Sequence, residues 1–138
     1  MRLATLALLL AAAWAAWAAG PGAKVLEHHG RWESGYGAEF YNVVGRLRNT
    51  SGHALRYVKL RIEALDEHGK VVASTETYNE SAEALAVPDL NPKELLASGK
   101  VKALPANAEE RFRGSFLKEE TPAFKDYRVK VVETPPVD

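Results

Sequence analysis

The feature that most constrains this chain is a two-residue alternation of apolar and charged side chains across residues 55–66. Val58, Leu60, Ile62 and Ala64 fall on one side, and Tyr57, Lys59, Arg61 and Glu63 fall on the other. Successive side chains of an extended strand point to opposite faces, so this segment has one apolar face and one wet face. A helix would group residues three and four apart and mix Lys59 and Arg61 into the apolar stripe. Residues 39–49 repeat the pattern. Tyr41, Val43, Gly45 and Leu47 fall on one side, and Asn42, Arg46 and Arg48 fall on the other with Phe40 and Val44.

Turn chemistry lies between these runs. Asn49 to His53 reads as one turn, and Asp66-Glu67-His68-Gly69 as a reverse turn with glycine where a positive φ costs little. Val71 to Tyr78 then returns as the partner strand of a hairpin. Residues 79–104 break the alternation. Pro88 and Pro92 punctuate them, Asn91 is placed to cap a short helix with Pro92 in its first turn, and Gly99 ends it. Alternation resumes with Phe112, Gly114 and Phe116 against Arg111, Arg113 and Ser115. A last run sets Tyr127, Val129 and Val131 against Arg128 and Lys130. Residues 24–34 read as an opening strand carrying Val25 and Trp32. Strands with one apolar face need a second sheet to cover them. The predicted fold is therefore all-β: an antiparallel, immunoglobulin-like β-sandwich with one short helix in a long connection.

At 138 residues the chain has room for one domain. Its 18 Lys+Arg balance 18 Asp+Glu, so it carries no basic field for nucleic acid. Cysteine is absent, which excludes a disulfide framework, a thiol nucleophile, a thiolate metal ligand and a lipidated cysteine. The fold must be held by its core alone.

The amino terminus differs from the rest. Met1 and Arg2 precede an apolar run from Leu3 to Ala19, and Gly20, Pro21 and Gly22 break it. Charge, apolar stretch and small residues are the layout of a secretory signal. Ala16 and Ala18 are the small residues that signal peptidase reads, which sets cleavage before Ala19. The alternative is a retained anchor, for which the run is slightly short of the ~20 residues that span a bilayer. Both place the domain outside the cytoplasm, periplasmic or extracellular. The expected organisation is a signal peptide at 1–18, a sandwich domain at 24–134 and a tail at 135–138 containing Pro135 and Pro136.

Gly45, Asn49, Asp66 and Gly69, with the strand-turn-strand run between them, resemble the FxLYD-type domains of bacterial envelope and secreted proteins. In these a G-x-v-x-N strand precedes a strand ending in Phe-x-Leu-Tyr-Asp, a turn with glycine and a Val-rich return. Here Ile62-Glu63-Ala64-Leu65-Asp66 stands at the signature, and Leu104-Pro105 through Phe112 resembles the approach to the next strand, with Ala106-Asn107 replacing its glycine. The resemblance covers residues 40–133 apart from 79–104. It implies an immunoglobulin-like sandwich of unassigned activity. The shared residues have structural readings: Gly45 for a bulge or the close approach of a bulky neighbour, Asn49 and Asp66 for turns.

Chemistry-bearing constellations are sparse. His28, His29, His53 and His68 lack metal-ligand spacing, because adjacent residues in a strand face opposite ways. Ser51, Ser74 and Ser81 lack a nucleophile-elbow setting and have no histidine placed to activate them. Glu109-Glu110 and Glu119-Glu120 read as solvated strand ends. There is no phosphate loop or dinucleotide fingerprint. The row Arg46, Arg48, Lys59 and Arg61 would cluster if its two strands pair. Asn49-Thr50-Ser51 and Asn79-Glu80-Ser81 fit a glycosylation pattern. Trp32, Tyr36, Phe40 and Tyr41 gather around Gly35 and Gly37. Trp32, Tyr36 and Phe40 form a candidate interaction surface, against the reading that Trp32 and Tyr41 belong to the core.

The function expected from these residues is a non-catalytic exported interaction or accessory module of the envelope, without cofactor. Its partner is a protein or envelope component, with membrane contact only if the amino-terminal segment is retained. Recognition would use a sheet edge or the 79–104 connection. The alternative is a small-ligand domain binding a metal ion or glycan at residues 28–41.

Overall fold

A computed structural model describes residues 22–87 and 90–137. The expected signal at 1–18, its cleavage before Ala19, and Pro88 lie outside the described residues. Among the described residues six strands form: β1 (Ala23–Gly35), β2 (Ala38–Asn49), β3 (Lys59–Leu65), β4 (Val71–Tyr78), β5 (Glu109–Leu117) and β6 (Asp126–Glu133). All pair antiparallel, in two three-stranded sheets ordered β1-β2-β5 and β4-β3-β6. This corresponds to strands A-B-E and C′-C-F of an immunoglobulin-like sandwich.

The alternation read from the sequence is the reason the sheets face each other. Val43 and Leu47 from β2, Phe112 and Phe116 from β5, and Leu60, Ile62 and Ala64 from β3 are all buried between them. Burying each Val, Leu, Ile or Phe side chain among them contributes roughly 1.5–3 kcal/mol. Two inward glycines make room. A Cβ at Gly114 would meet the Ile62 side chain from the facing sheet at 2.5 Å, and one at Gly45 would meet the Phe112 ring at 2.6 Å. That same added Cβ at Gly45 would also stand 2.4 Å from the carbonyl oxygen of Glu27, at the bulge of β1 between Val25 and Glu27.

Local chemistry at the turns matches the expectations. Asp66 Oδ1 accepts from the backbone N–H of His68 and Lys70, and Gly69 has φ +78°. The short helix α1 (Pro92–Ala97) is capped by Asn91, whose side chain accepts from Lys93 N, and Gly99 beyond it has φ +76°. The β1–β2 connection is a two-residue turn with Tyr36 and Gly37 both at positive φ, as a type I′ hairpin requires.

Asn49 goes well beyond starting a turn. It is fully buried, its Nδ2 donates towards the carbonyls of His53, Leu104 and Pro105, and its Oδ1 accepts from Ser51 N and Oγ. One side chain thus ties the end of β2 to the distant 104–105 segment. Asn79 is equally buried, accepting from Val58 N and donating to Glu110. Neither amide can take a glycan in the folded domain.

Several expectations need correction. Residues 55–58 precede the strand rather than open it; Leu55 bridges Leu104 and Pro136 instead. Residues 135–137 are not a free tail, because Arg56 N donates to Pro135 O and Val137 N to Ala54 O. The 79–104 connection carries a 3-10 helix (Glu80–Ala86) besides α1. Ala82, Leu95 and Val101 form a small core there, packed on Tyr57 and Tyr78. Glu110 is no solvated end: it accepts from Asn79 Nδ2 and Ser81 N and Oγ. The row Arg46, Arg48, Lys59 and Arg61 is split, since β2 and β3 belong to different sheets. Arg46 and Arg48 pair with Glu27 and Glu109, while Lys59 and Arg61 face Glu76.

Glu63 is the one buried carboxylate of the β4-β3-β6 outer face, its side chain only 10% exposed beneath Arg128 and Lys130. Burial alone would raise its pKa, but hydrogen bonds and charge from Arg128 and Lys130 win and hold it below the usual range. A depressed folded-state pKa contributes stability that is full above the unfolded value and lost as pH falls through the folded one. Thermal melts of Glu63→Gln are expected to lose part of the acid-side drop in stability that the native chain shows below the ordinary carboxylate range. Superimposable pH–stability curves for the two would contradict this account.

Candidate binding site at the open edge

The two long sides of the sandwich differ. On the β4/β5 side the sheets are stitched together: Thr77 Oγ1 donates to Arg113 O, and Asn79 bridges Phe112. On the β1/β6 side, side chains of the described residues join them. His28 Nδ1 lies 2.8 Å from Tyr127 Oη, and the Trp32, Tyr41, Phe124, Phe116 and Tyr127 rings pack with centroids 5.1–5.8 Å apart. Such edge-on and tilted ring pairs are favourable by about 0.5–1.5 kcal/mol beyond the area they bury. Burial, and after it the Asp126 charge, pushes the Tyr41 phenol up, and burial, then Tyr41, then Asp126 push up that of Tyr127, so both stay neutral.

This aromatic seam opens at Trp32, which stays 49% exposed with the Lys118 ammonium 6.0 Å from its ring centre. Beside it runs β1, 13 residues long and hydrogen-bonded to β2 on one side only. Its other side pairs with no strand among the described residues.

The three residues of the expected surface do not share a face. Trp32 pairs with Tyr41 on the inner side, whereas Phe40, in the next rung opposite Glu33 and Leu117, points to the outer side. Tyr36 stands fully exposed at the hairpin tip. Trp32 and Tyr41 do meet, as the core reading expects, but Trp32 is only half covered. Phe124 completes the seam from a loop between Thr121 and Lys125 whose sequence gives no periodic signal.

The outer side of the same sheet is a charge ladder. Glu27, His29, Arg31 and Glu33 project from β1, with Arg46 bonded to Glu27 and Glu109, and Arg48 to Glu109. Asn42 first, then Arg31, hold the Glu33 carboxyl below its usual range. An open concavity of about 820 Å³ lies over this ladder, with Arg111 and Arg113 on one wall and Glu80 and Glu83 on another.

His28 and His29 point to opposite sides, one to Tyr127 and one to this concavity. Among the described residues no three His, Asp or Glu side chains come together to hold a metal ion. Contrary to the sequence reading, one serine does have a histidine beside it: Ser51 Oγ is 2.9 Å from His53 Nδ1. The hydroxyl has one proton, and Asn49 Oδ1 and the His53 carbonyl compete for it at 2.7 and 2.8 Å. Among the described residues no carboxylate is bonded to the ring, so the pair reads as turn chemistry.

The fold and this edge define an all-β sandwich with one long side open to solvent. Compared with protein-family models, curated proteins and solved structures, the chain matches none.

Proposed function

We propose that this chain is an exported, non-catalytic interaction module of the bacterial envelope that engages an extended protein segment along the open edge of β1. The observation that carries this reading is a 13-residue strand that, among the described residues, is hydrogen-bonded on one side only and carries a half-exposed tryptophan. Unpaired backbone groups of an edge supply affinity to an added strand, and alternate side-chain positions supply selectivity. Export rests on residues 1–18 as a secretory signal and on the resemblance of residues 40–133 to envelope domains. The 79–104 connection is the weaker recognition element, because Ala82, Leu95 and Val101 are consumed by its own small core and its exposed Val87 and Leu90 stand on no strand edge.

The test is photocrosslinking in an exporting bacterial host, with a photoreactive residue at Arg31 on the edge or at Glu119 beyond β5. Adducts from position 31 that map to an extended segment, with none from position 119, are expected together with a mature chain starting at Ala19. A chain kept in the cytoplasm with residues 1–18 attached, or equal adducts from both positions, would overturn the reading.

A second reading, a glycan stacked on the seam, is favoured by the exposed Trp32 ring beside Tyr41 and Phe124. The chain has three tryptophans, and two of them, Trp14 and Trp17, lie in the signal. Fluorescence of the exported chain therefore reports Trp32 alone. A saturable spectral shift with an oligosaccharide panel is expected under this reading, and a flat response would remove it.

A further inference from the structure

The outer face of β1 carries a charge pattern that is its own complement when reversed. In order it reads Lys24, Glu27, His29, Arg31 and Glu33, all exposed. The bulge between Val25 and Glu27 absorbs Leu26, so Lys24 and Glu27 follow each other on the same face, opposite Arg48 and Arg46 of β2. Reversing the strand about His29 sets positive against negative at each outer-face rung on either side of the axis.

We propose that the partner of the β1 edge is a second copy of this chain, joined antiparallel about a two-fold axis through His29. This rests on the reading that β1 is the binding edge, and it names the occupant. In this register Lys24 of one copy stands opposite Glu33 of the other, and Glu27 stands opposite Arg31. Each pair occurs twice, and the two His29 residues meet at the axis. On the inner face Val25 comes opposite Trp32, which covers the part of the ring that one copy leaves exposed. The result is one continuous six-stranded sheet, β5-β2-β1 continuing into β1-β2-β5 of the partner copy. Opposite charges directly across a strand pair are favourable by roughly 0.2–1 kcal/mol each, and like charges are unfavourable.

Neighbouring registers lack this match. Centring on His28 sets Lys24 against Arg31, on Gly30 sets Glu27 against Glu33, and on Arg31 sets two arginines together. Centring on Trp32 pairs Arg31 with Glu33 but leaves only residues 29–35 overlapping. Isologous pairing of one patch with itself is the commonest closed arrangement of identical chains.

The charge arithmetic supplies a decisive exchange experiment on the exported chain. Sedimentation at about 100 µM, a concentration that populates even a weak small interface, is expected to show the native chain as a dimer. Arg31→Glu and Glu27→Arg are each expected to be monomeric, while an equimolar mixture of the two regains a dimer. Circular dichroism checks that both variants fold. Because the chain has no cysteine, His29→Cys places single thiols across the axis. Directly opposite antiparallel residues have Cα atoms about 4.5–5.5 Å apart, within disulfide range. Oxidation should therefore link His29→Cys into dimers about tenfold or more faster than Tyr36→Cys at the hairpin tip, given the specificity of disulfide geometry.

A native chain that sediments as a monomer, or a dimer indifferent to both charge reversals, would overturn the proposal. If position 31 still crosslinks to a different extended protein, the edge reading stands and only the choice of partner fails. If nothing crosslinks there, both fail.

Discussion

Replacing Asn49 by alanine is expected to destabilise the domain by about 3–5 kcal/mol, since each buried polar group left without a partner costs about 1–3 kcal/mol. The amide serves the carbonyls of His53, Leu104 and Pro105 and the N–H and hydroxyl of Ser51. Alanine leaves these groups facing a void at a fully buried position, where water reaches them poorly. For a domain of this size the melting temperature should fall by roughly 15 °C, at about 4 °C per kcal/mol. Asn49→Asp keeps the acceptor for Ser51 but aims a charge at three carbonyl oxygens, so it should be no better than alanine. Ser51→Ala removes one donor from the same network and should cost only about 1 kcal/mol. A melt of Asn49→Ala within the effect of Ser51→Ala would show that the knot is not what joins the end of β2 to residues 104–105.

The second large effect is expected at Gly45. The position faces inward in the middle of β2, and a Cβ there would stand 2.4 Å from the Glu27 carbonyl oxygen and 2.6 Å from the Phe112 ring. Neither neighbour can yield cheaply. The carbonyl belongs to the backbone of the bulged β1, and the ring is the largest fully buried side chain of the core. Gly45→Val should therefore cost about 3 kcal/mol or more, at the upper end of overpacking effects, and loosen β1 from β2. Val43→Ala, a truncation on the same face, is the useful comparison. It deletes contacts without forcing strands apart, so it should weaken stability while leaving β1 protected from hydrogen exchange. Equal protection of β1 in both variants would contradict the role given to Gly45.

How legible the molecule is in its sequence depends on burial. Where one face of a strand is covered and the other wet, as in Leu60 to Ala64 or Phe112 to Phe116, the residues alternate and the strand announces itself. The Asp66–Gly69 turn and the Asn91 cap are equally plain, because each rests on short-range hydrogen bonds that particular residue types supply. β1 is hard to read for the opposite reason. An edge strand with both faces partly open can hold His28, Gly30 and Glu33 without penalty, and Leu26 falls in a bulge that shifts the phase.

The candidate site is harder still. Trp32 and Tyr41 can be named from sequence, but which sheet edge is open is decided by strand order. Phe124 joins them from a loop with no period. The splitting of Arg46 from Arg61 has the same origin: each strand's faces are local information, whereas its neighbours are not. Asn79 and Glu110 illustrate this too, being residues of ordinary turn and surface type that become a part-buried pair only when β4 and β5 meet across the sandwich.

The most direct measurement is residue-resolved amide exchange of the exported chain, recorded in dilute solution and again as concentration rises. A strand bonded on one side protects every second amide. In dilute solution, amides of Lys24 to Gly35 facing β2 should exchange slowly and the alternate ones fast, while β2 is protected throughout. The fast set alone should slow on concentration. Uniformly fast exchange along β1, or protection of both sets in the monomer, would contradict the open edge on which this account stands.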